Sequence, residues 1–261
     1  MQNTLADIIN LTQYPLNDES FRQHCKQTLD ENGALVLADF LSPASVESIQ
    51  VEGQENQHLA YYTVKKHNIY LTTPDSQYSN NHPRNKEVST SKGCITTDQI
   101  PSQSDLFKLY DSQAFRSFLC AVLGEQALYE YADNLSSVNL HYASEGQELG
   151  WHYDNSSFAI TLMIQNPESG AVFEYAKDVR DADSGDMNYP LSEKILAGEV
   201  APKTLSMQAG ALVLFRGRNS MHRVTPTEGD RTRMLVVLAY NTEPGISLSE
   251  SARMTFFGRL G

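Results

Sequence analysis

From residue 136 to residue 241 the chain falls into short segments separated by turn-forming residues. That rhythm restricts the possible folds more than any other feature. The segments are 136–143, 157–165, 171–175, 203–207, 211–215, 221–225 and 233–241. The breaks include Asn166-Pro167, Ser169-Gly170, Ala209-Gly210 and Glu228-Gly229-Asp230. Each run is of strand length, and repeated short strands with regular turns describe an antiparallel sandwich or barrel. A longer insertion, 181–202, predicts one helical turn over 191–196.

The first half has a different texture. Phe21, Cys25 and Leu29 recur at i+4 and form one helical face, which Gly33 closes. A short apolar strand is expected over 34–40. Ser42-Pro43 then reads as an N-cap followed by proline at the first helical position, with Val46 and Ile49 at helical spacing. Ser112 caps a second helix, whose buried face is Phe115, Phe118, Leu119, Val122 and Leu123 and whose end is Gly124. Segment 65–103 is polar, with prolines at 74, 83 and 101. It reads either as a surface excursion or as a lid over a pocket. Helices first and strands after predict a mainly β protein with N-terminal helices, its core a double-stranded β-helix (jelly roll, cupin-like). We expect one domain over 1–261, with 1–135 as helical buttress and polar lid and 136–261 as the β core.

The chain has 261 residues, 40% of them hydrophobic, enough for one sizeable core. Its formal charge of −12 argues against a nucleic-acid partner and against an anionic membrane surface. Cys25, Cys94 and Cys120 are odd in number and widely spaced, which fits neither a disulfide framework nor a zinc knuckle. No apolar run approaches the roughly 20 residues of a bilayer span, and residues 1–7 show no basic-then-apolar signal pattern. The expected location is the cytoplasm.

Chemistry concentrates in Trp151-His152-Tyr153-Asp154 and in Ser220-Met221-His222-Arg223-Val224. On a strand, His152 and Asp154 at i and i+2 share a face. With His222 they make a 2-His-1-carboxylate set, the ligand field of non-haem Fe(II) oxygenases. Such a set leaves three positions open: two for the keto oxygen and C1 carboxylate of 2-oxoglutarate, and one for O2. A closed four-ligand zinc site has no such room, and no HExxH pattern supports zinc hydrolysis. Arg231 and Arg233 stand at the head of an apolar strand. Two apart, they are expected to share a strand face; either can offer a guanidinium to the far carboxylate of 2-oxoglutarate, and Arg233 is favoured because it enters the apolar run directly. Asn139 and His141 alternate on an earlier strand and are further candidates for the co-substrate.

With these residues in view, the chain resembles the Fe(II)/2-oxoglutarate-dependent oxygenase superfamily. The resemblance is carried by WHYD (151–154), FRGRNSMHRVTP (215–226) and GDRTR (229–233). More narrowly, EYAKDVRDADSGDM (174–187) and YNTEPGISLSESARMTFFGRLG (240–261) resemble a bacterial subfamily of radical halogenases and hydroxylases acting on free amino acids, lysine and its relatives among them. The resemblance implies a double-stranded β-helix, metal ligands His152, Asp154 and His222, and Arg233 as the 2-oxoglutarate anchor. Halogenases of that subfamily carry glycine where this chain has Asp154, leaving a place for chloride. The carboxylate therefore implies hydroxylation of an unactivated C–H, with release of succinate and CO2. An amino-acid substrate needs a cation for its carboxylate and an acceptor for its amine. Candidates are Arg84 or Lys86, and Glu130, Asp133 or Asn155; Val237 and Ala239, on the face of Arg233, are expected to line the pocket. The alternatives are a hydroxylase of a protein- or carrier-bound residue and a non-catalytic cupin-like metal binder.

Overall fold

The computed structural model describes residues 4–261, so the first three residues of the N-terminal signal reading lie outside it. Seven α-helices are present among these residues: α1 Leu5–Ile8, α2 Glu19–Asn32, α3 Pro43–Asn56, α4 Asp105–Tyr110, α5 Gln113–Leu123, α6 Tyr189–Leu196 and α7 Glu250–Phe257. The strands are β1 Ala34–Leu37, β2 Tyr61–Asn68, β3 Glu87–Ile95, β4 Val138–Ala143, β5 Leu149–His152, β6 Ala159–Gln165, β7 Ser169–Gly170, β8 Phe173–Ala176, β9 Lys203–Leu205, β10 Leu212–Phe215, β11 Met221–Val224, β12 Thr227–Glu228 and β13 Arg233–Leu238. None of the helices is long and apolar enough to cross a membrane.

The caps read from sequence, Ser42 and Ser112, accept from backbone N–H groups in the first turns of α3 and α5, and Asp18 does the same for α2. Gly33 and Gly124 end α2 and α5 in the left-handed conformation that glycine adopts without a Cβ penalty. The faces so presented pack on the sheet. Leu29, Phe115, Phe118, Leu119 and Val122 join Ile160, Leu162, Leu212, Leu214, Met234, Val236 and Leu238 in one buried cluster.

Eleven strands form a single sheet in the order β1-β10-β6-β13-β4-β3-β5-β11-β8-β9, with β2 paired to β3. Every pairing is antiparallel, and the sheet curls into a double-stranded β-helix. A second cluster, Tyr70, Trp151, Tyr153, Val179, Ile195 and Met221, packs α6 and its flanking loops on the outer side of β5 and β11. Helical and β layers are less separate in sequence than their order suggested: β1, β2 and β3 all precede residue 136 and all enter this sheet.

Segment 65–103 needs correction. It carries the end of β2 and all of β3, paired from Tyr61↔Cys94 to Asn68↔Glu87. The loop between them is held by buried Asn85, whose amide donates to the carbonyls of Asp75 and Tyr78 and whose oxygen accepts from the Asp75 N–H. β3 also joins the two halves of the barrel, pairing with β5 at Thr90↔Leu149 and with β4 at Gly93↔Tyr142 and Cys94↔His141. Its polar residues are those of a strand whose side chains face a barrel interior and a solvated hairpin. Apolar alternation, the usual strand signal, is therefore missing.

Candidate metal centre

β5 ends at His152, and its alternation sorts the side chains around it. Trp151 and Tyr153 go outward into the α6 cluster, while His152 and Asp154 go to the barrel interior. Asp154 lies just past the strand, where its N–H donates to the Gly217 carbonyl. β11 does the same with its own pair: Met221 goes outward and His222 inward, with His222 directly opposite His152 in the ladder. The ligand atoms of His152, Asp154 and His222 all lie within 4.8 Å of one another. Asp154 Oδ1 is 3.7 Å from His152 Nε2 and 3.5 Å from His222 Nε2.

Both imidazoles are aimed by their own strands. His152 Nδ1 lies 2.7 Å from the Gly150 carbonyl and His222 Nδ1 2.9 Å from the Ser220 carbonyl. A carbonyl only accepts, so the proton sits on Nδ1 and the Nε2 lone pair is free for a metal. Phe215 and Phe173 flank the His222 ring, with centroids at 4.8 and 5.6 Å. Burial, reinforced by the neighbouring His222, pushes His152 down to about 3, so it stays neutral as a ligand must. Burial alone would raise the Asp154 pKa, but the His222 and His152 imidazoles and Lys92 reverse this and hold the carboxyl down to about 2.

Gly217 completes the cradle. A Cβ on Gly217 would lie 1.8 Å from Asp154 Oδ2 and 2.6 Å from its Cγ, so only glycine leaves room for the carboxylate in this position. Two neutral nitrogens, one carboxylate and a glycine-made recess suit a divalent first-row metal with one face left open.

The Halogenase D family model (HalD) matches residues 17–255. The chain belongs to that family. No curated protein matches it significantly. Among solved structures, this Halogenase D family member is similar to a 2OG-Fe(II) oxygenase family oxidoreductase from Burkholderia pseudomallei, at 12% identity and TM-score 0.54, over 88% of this chain and 95% of that one. It is similar to the non-heme alpha-ketoglutarate-dependent epimerase SnoN of nogalamycin biosynthesis at 10% identity and TM-score 0.59, over 85% and 84%. It is also similar to HygX from Streptomyces hygroscopicus, solved with nickel, 2-oxoglutarate and hygromycin B, at 12% identity and TM-score 0.53, over 87% and 90%. At such identities the likeness establishes the fold.

In this family member the other expected site residues divide. Arg233 is buried at 4% exposure, and burial lowers its guanidinium to about 10. Among the described residues its Nε has no hydrogen-bond partner and no carboxylate pairs with it. Arg231 is exposed, precedes β13 and donates to the Pro167 carbonyl, so the two arginines do not share a site. His141 sits on β4 opposite Leu235, with its Nδ1 2.9 Å from Lys92 Nζ. Asn139 sits opposite Val237, but its amide group is taken by the carbonyls of Leu135 and Val138. Val237 is half-buried on the face of Arg233, and Ala239, half-buried too, follows the end of β13.

The charged substrate candidates are placed elsewhere or already engaged. Asp133 accepts from the N–H groups of Leu135 and Leu248 and from the Ser136 hydroxyl, which fastens the C-terminal segment to the base of β4. Glu130 is exposed, and its charge acts on Asp111 and Tyr110 beside α4. Arg84 donates to the Thr73 carbonyl in the β2–β3 loop, and Lys86 is exposed. Asn155 is exposed next to Asp154, with its carbonyl accepting from Arg218. Sequence reasoning missed Lys92, because a lone lysine in a serine- and threonine-rich strand looks like a solvent-facing residue. The Thr90-Lys92-Cys94 alternation on β3 was the available signal.

Proposed function

We propose that this chain is an Fe(II)- and 2-oxoglutarate-dependent oxygenase that hydroxylates an unactivated C–H of a free amino acid. The observation that carries this reading is the pairing of an open three-ligand metal set with a buried, partnerless arginine in one barrel. A metal binder without a co-substrate has no use for Arg233, whose burial costs stability unless an anion joins it.

His152, Asp154 and His222 would hold the iron, and Arg233 would take the far carboxylate of 2-oxoglutarate. Bound there, the metal with its co-substrate supplies oxygen activation, with succinate and CO2 as by-products. The protein's share is orientation and dryness. The two Nδ1–carbonyl contacts fix the imidazoles, Phe173 and Phe215 wall off the His222 side, and Arg233 sets the direction in which the co-substrate lies. Val237 and Ala239 offer the substrate an apolar surface.

Family membership alone points to halogenation, but the site favours hydroxylation. Asp154 fills the position that is glycine in the resembled halogenases, and Gly217 is shaped around that carboxylate. A tethered carboxylate outcompetes dissolved chloride through its effective concentration. The test is a mass-spectrometric screen of the twenty amino acids with iron, ascorbate and 2-oxoglutarate, with and without chloride. The expected product is 16 Da heavier than its substrate and forms together with succinate. A chlorinated product, or no amino-acid-stimulated consumption of 2-oxoglutarate, would refute the assignment.

A further inference from the structure

The strand that joins the two halves of the barrel brings a second cation inside. Lys92 lies on β3 one residue before Gly93, whose partner on β4 is Tyr142. The next β4 residue, Ala143, is the ladder partner of Arg233 on β13. Lys92 and Arg233 therefore approach from strands on either side of β4, and the residue between them is an alanine. Ala143 places only a methyl between the two cations.

Lys92 Nζ lies 2.9 Å from His141 Nδ1. Burial, with the positive charges of Lys92 and Arg233 behind it, keeps His141 neutral, so the ammonium donates and His141 accepts. That contact uses one of three ammonium hydrogens and holds the side chain inward. Above it stands α7, with the Phe256 ring centroid 6.0 Å from Nζ. Among the described residues Asp154 is the one carboxylate whose charge acts on Lys92, and none acts on Arg233. Asp154 belongs to the metal. The barrel thus encloses two cations and supplies no anion of its own for either.

We infer that Lys92 is a second cation of the co-substrate pocket, sharing with Arg233 the far carboxylate of a five-carbon 2-oxo dicarboxylate and selecting that class over 2-oxo monocarboxylates. This rests on the reading proposed above and adds a residue to it. Lys92 lies on β3 between Thr90, which pairs with β5 of the metal ligands, and Gly93, which pairs with β4 beside Arg233, so its strand runs from the metal side of the barrel to the guanidinium side. Its hydrogen bond to His141 makes His141 a positioning residue for the ammonium.

The experiment is calorimetric titration of the manganese(II)-loaded protein, in which no turnover intervenes, with 2-oxoglutarate and separately with oxalate. Oxalate meets the metal but has no distal carboxylate. Lys92→Met is expected to weaken 2-oxoglutarate binding by about 10- to 100-fold, the range of one charge-assisted hydrogen bond, and to leave oxalate and manganese binding unchanged. Unchanged 2-oxoglutarate affinity in Lys92→Met would overturn the inference. So would an equal loss for oxalate, which would mark Lys92 as structural. Wild-type protein that binds oxalate but not 2-oxoglutarate would instead refute the functional reading on which the inference stands.

Discussion

The two ends of the barrel interior are built on opposite principles. At the metal end the ligands are held in place by their own surroundings: each imidazole hydrogen is given to a carbonyl two residues back, and the Asp154 carboxylate sits beside both rings in a recess that Gly217 leaves open. At the other end Arg233 is buried with no counter-charge, and Lys92 has only a neutral imidazole. A finished site and an unfinished one differ in what they await. The first needs an ion to occupy donors already in place, and the second needs an anion to repay desolvation already incurred.

That contrast can be broken most decisively at the metal end. Asp154→Ala removes a ligand, and amino-acid-dependent succinate formation should fall by more than about 100-fold, a loss that even outer-sphere changes reach in metal sites. At the other end the same kind of truncation should have two signs. Arg233→Met should weaken 2-oxoglutarate binding by about 2–5 kcal/mol, the cost of stripping one partner from a buried charge pair. The ligand-free protein should become more stable by about 1 kcal/mol or more, as when a buried charge gives way to an apolar side chain of similar size. Calorimetry and chemical denaturation read the two effects separately, and a destabilised apo variant would mean that Arg233 is already satisfied.

Gly217→Ala tests whether the recess matters. The new methyl would displace Asp154, and metal affinity should drop by about 10- to 100-fold in a titration monitored by calorimetry. Acid sharpens the comparison further. His152 is held at about 3, and His141 also lies well below its ordinary value, mainly through burial. Free imidazoles protonate near about 6.5, so acidification first protonates the unfolded chain only. Metal-free protein should therefore lose stability as pH falls from about 6.5 toward 3, by on the order of 1 kcal/mol per histidine per pH unit. Denaturation midpoints at successive pH values check this, and a flat profile down to pH 5 would contradict it. The smallest effect belongs to Arg231→Ala, which should leave 2-oxoglutarate affinity unchanged and stability within about 0.5 kcal/mol.

Local chemistry was legible wherever one residue type answers one backbone need. Ser42 before Pro43, Ser112 before the Phe115 face, and Gly33 and Gly124 as left-handed caps all stand where expected. The metal triad was legible because imidazole and carboxylate at i and i+2 have few other uses. β2 and β3 were hidden because polar residues fall on both faces of the hairpin and most of its side chains are exposed or half-buried, so neither face repeats an apolar pattern. The C-terminal helix was overlooked although Ser249 caps it and Gly258 ends it; its apolar residues, such as Met254 and Phe256, are half-exposed and give little periodic signal. Which arginine turns inward was not decidable from spacing. Arg231 falls in the turn before β13, and a strand's face is defined only once the strand begins.

The short tether from each ligating ring to its own backbone has a practical consequence. Because Gly150 and Ser220 hold His152 and His222 from within the same two strands, nothing distant must move to keep the rings aimed once the ion departs. A chelator should therefore empty the protein and a fresh salt refill it in the cold, with no denaturing cycle between.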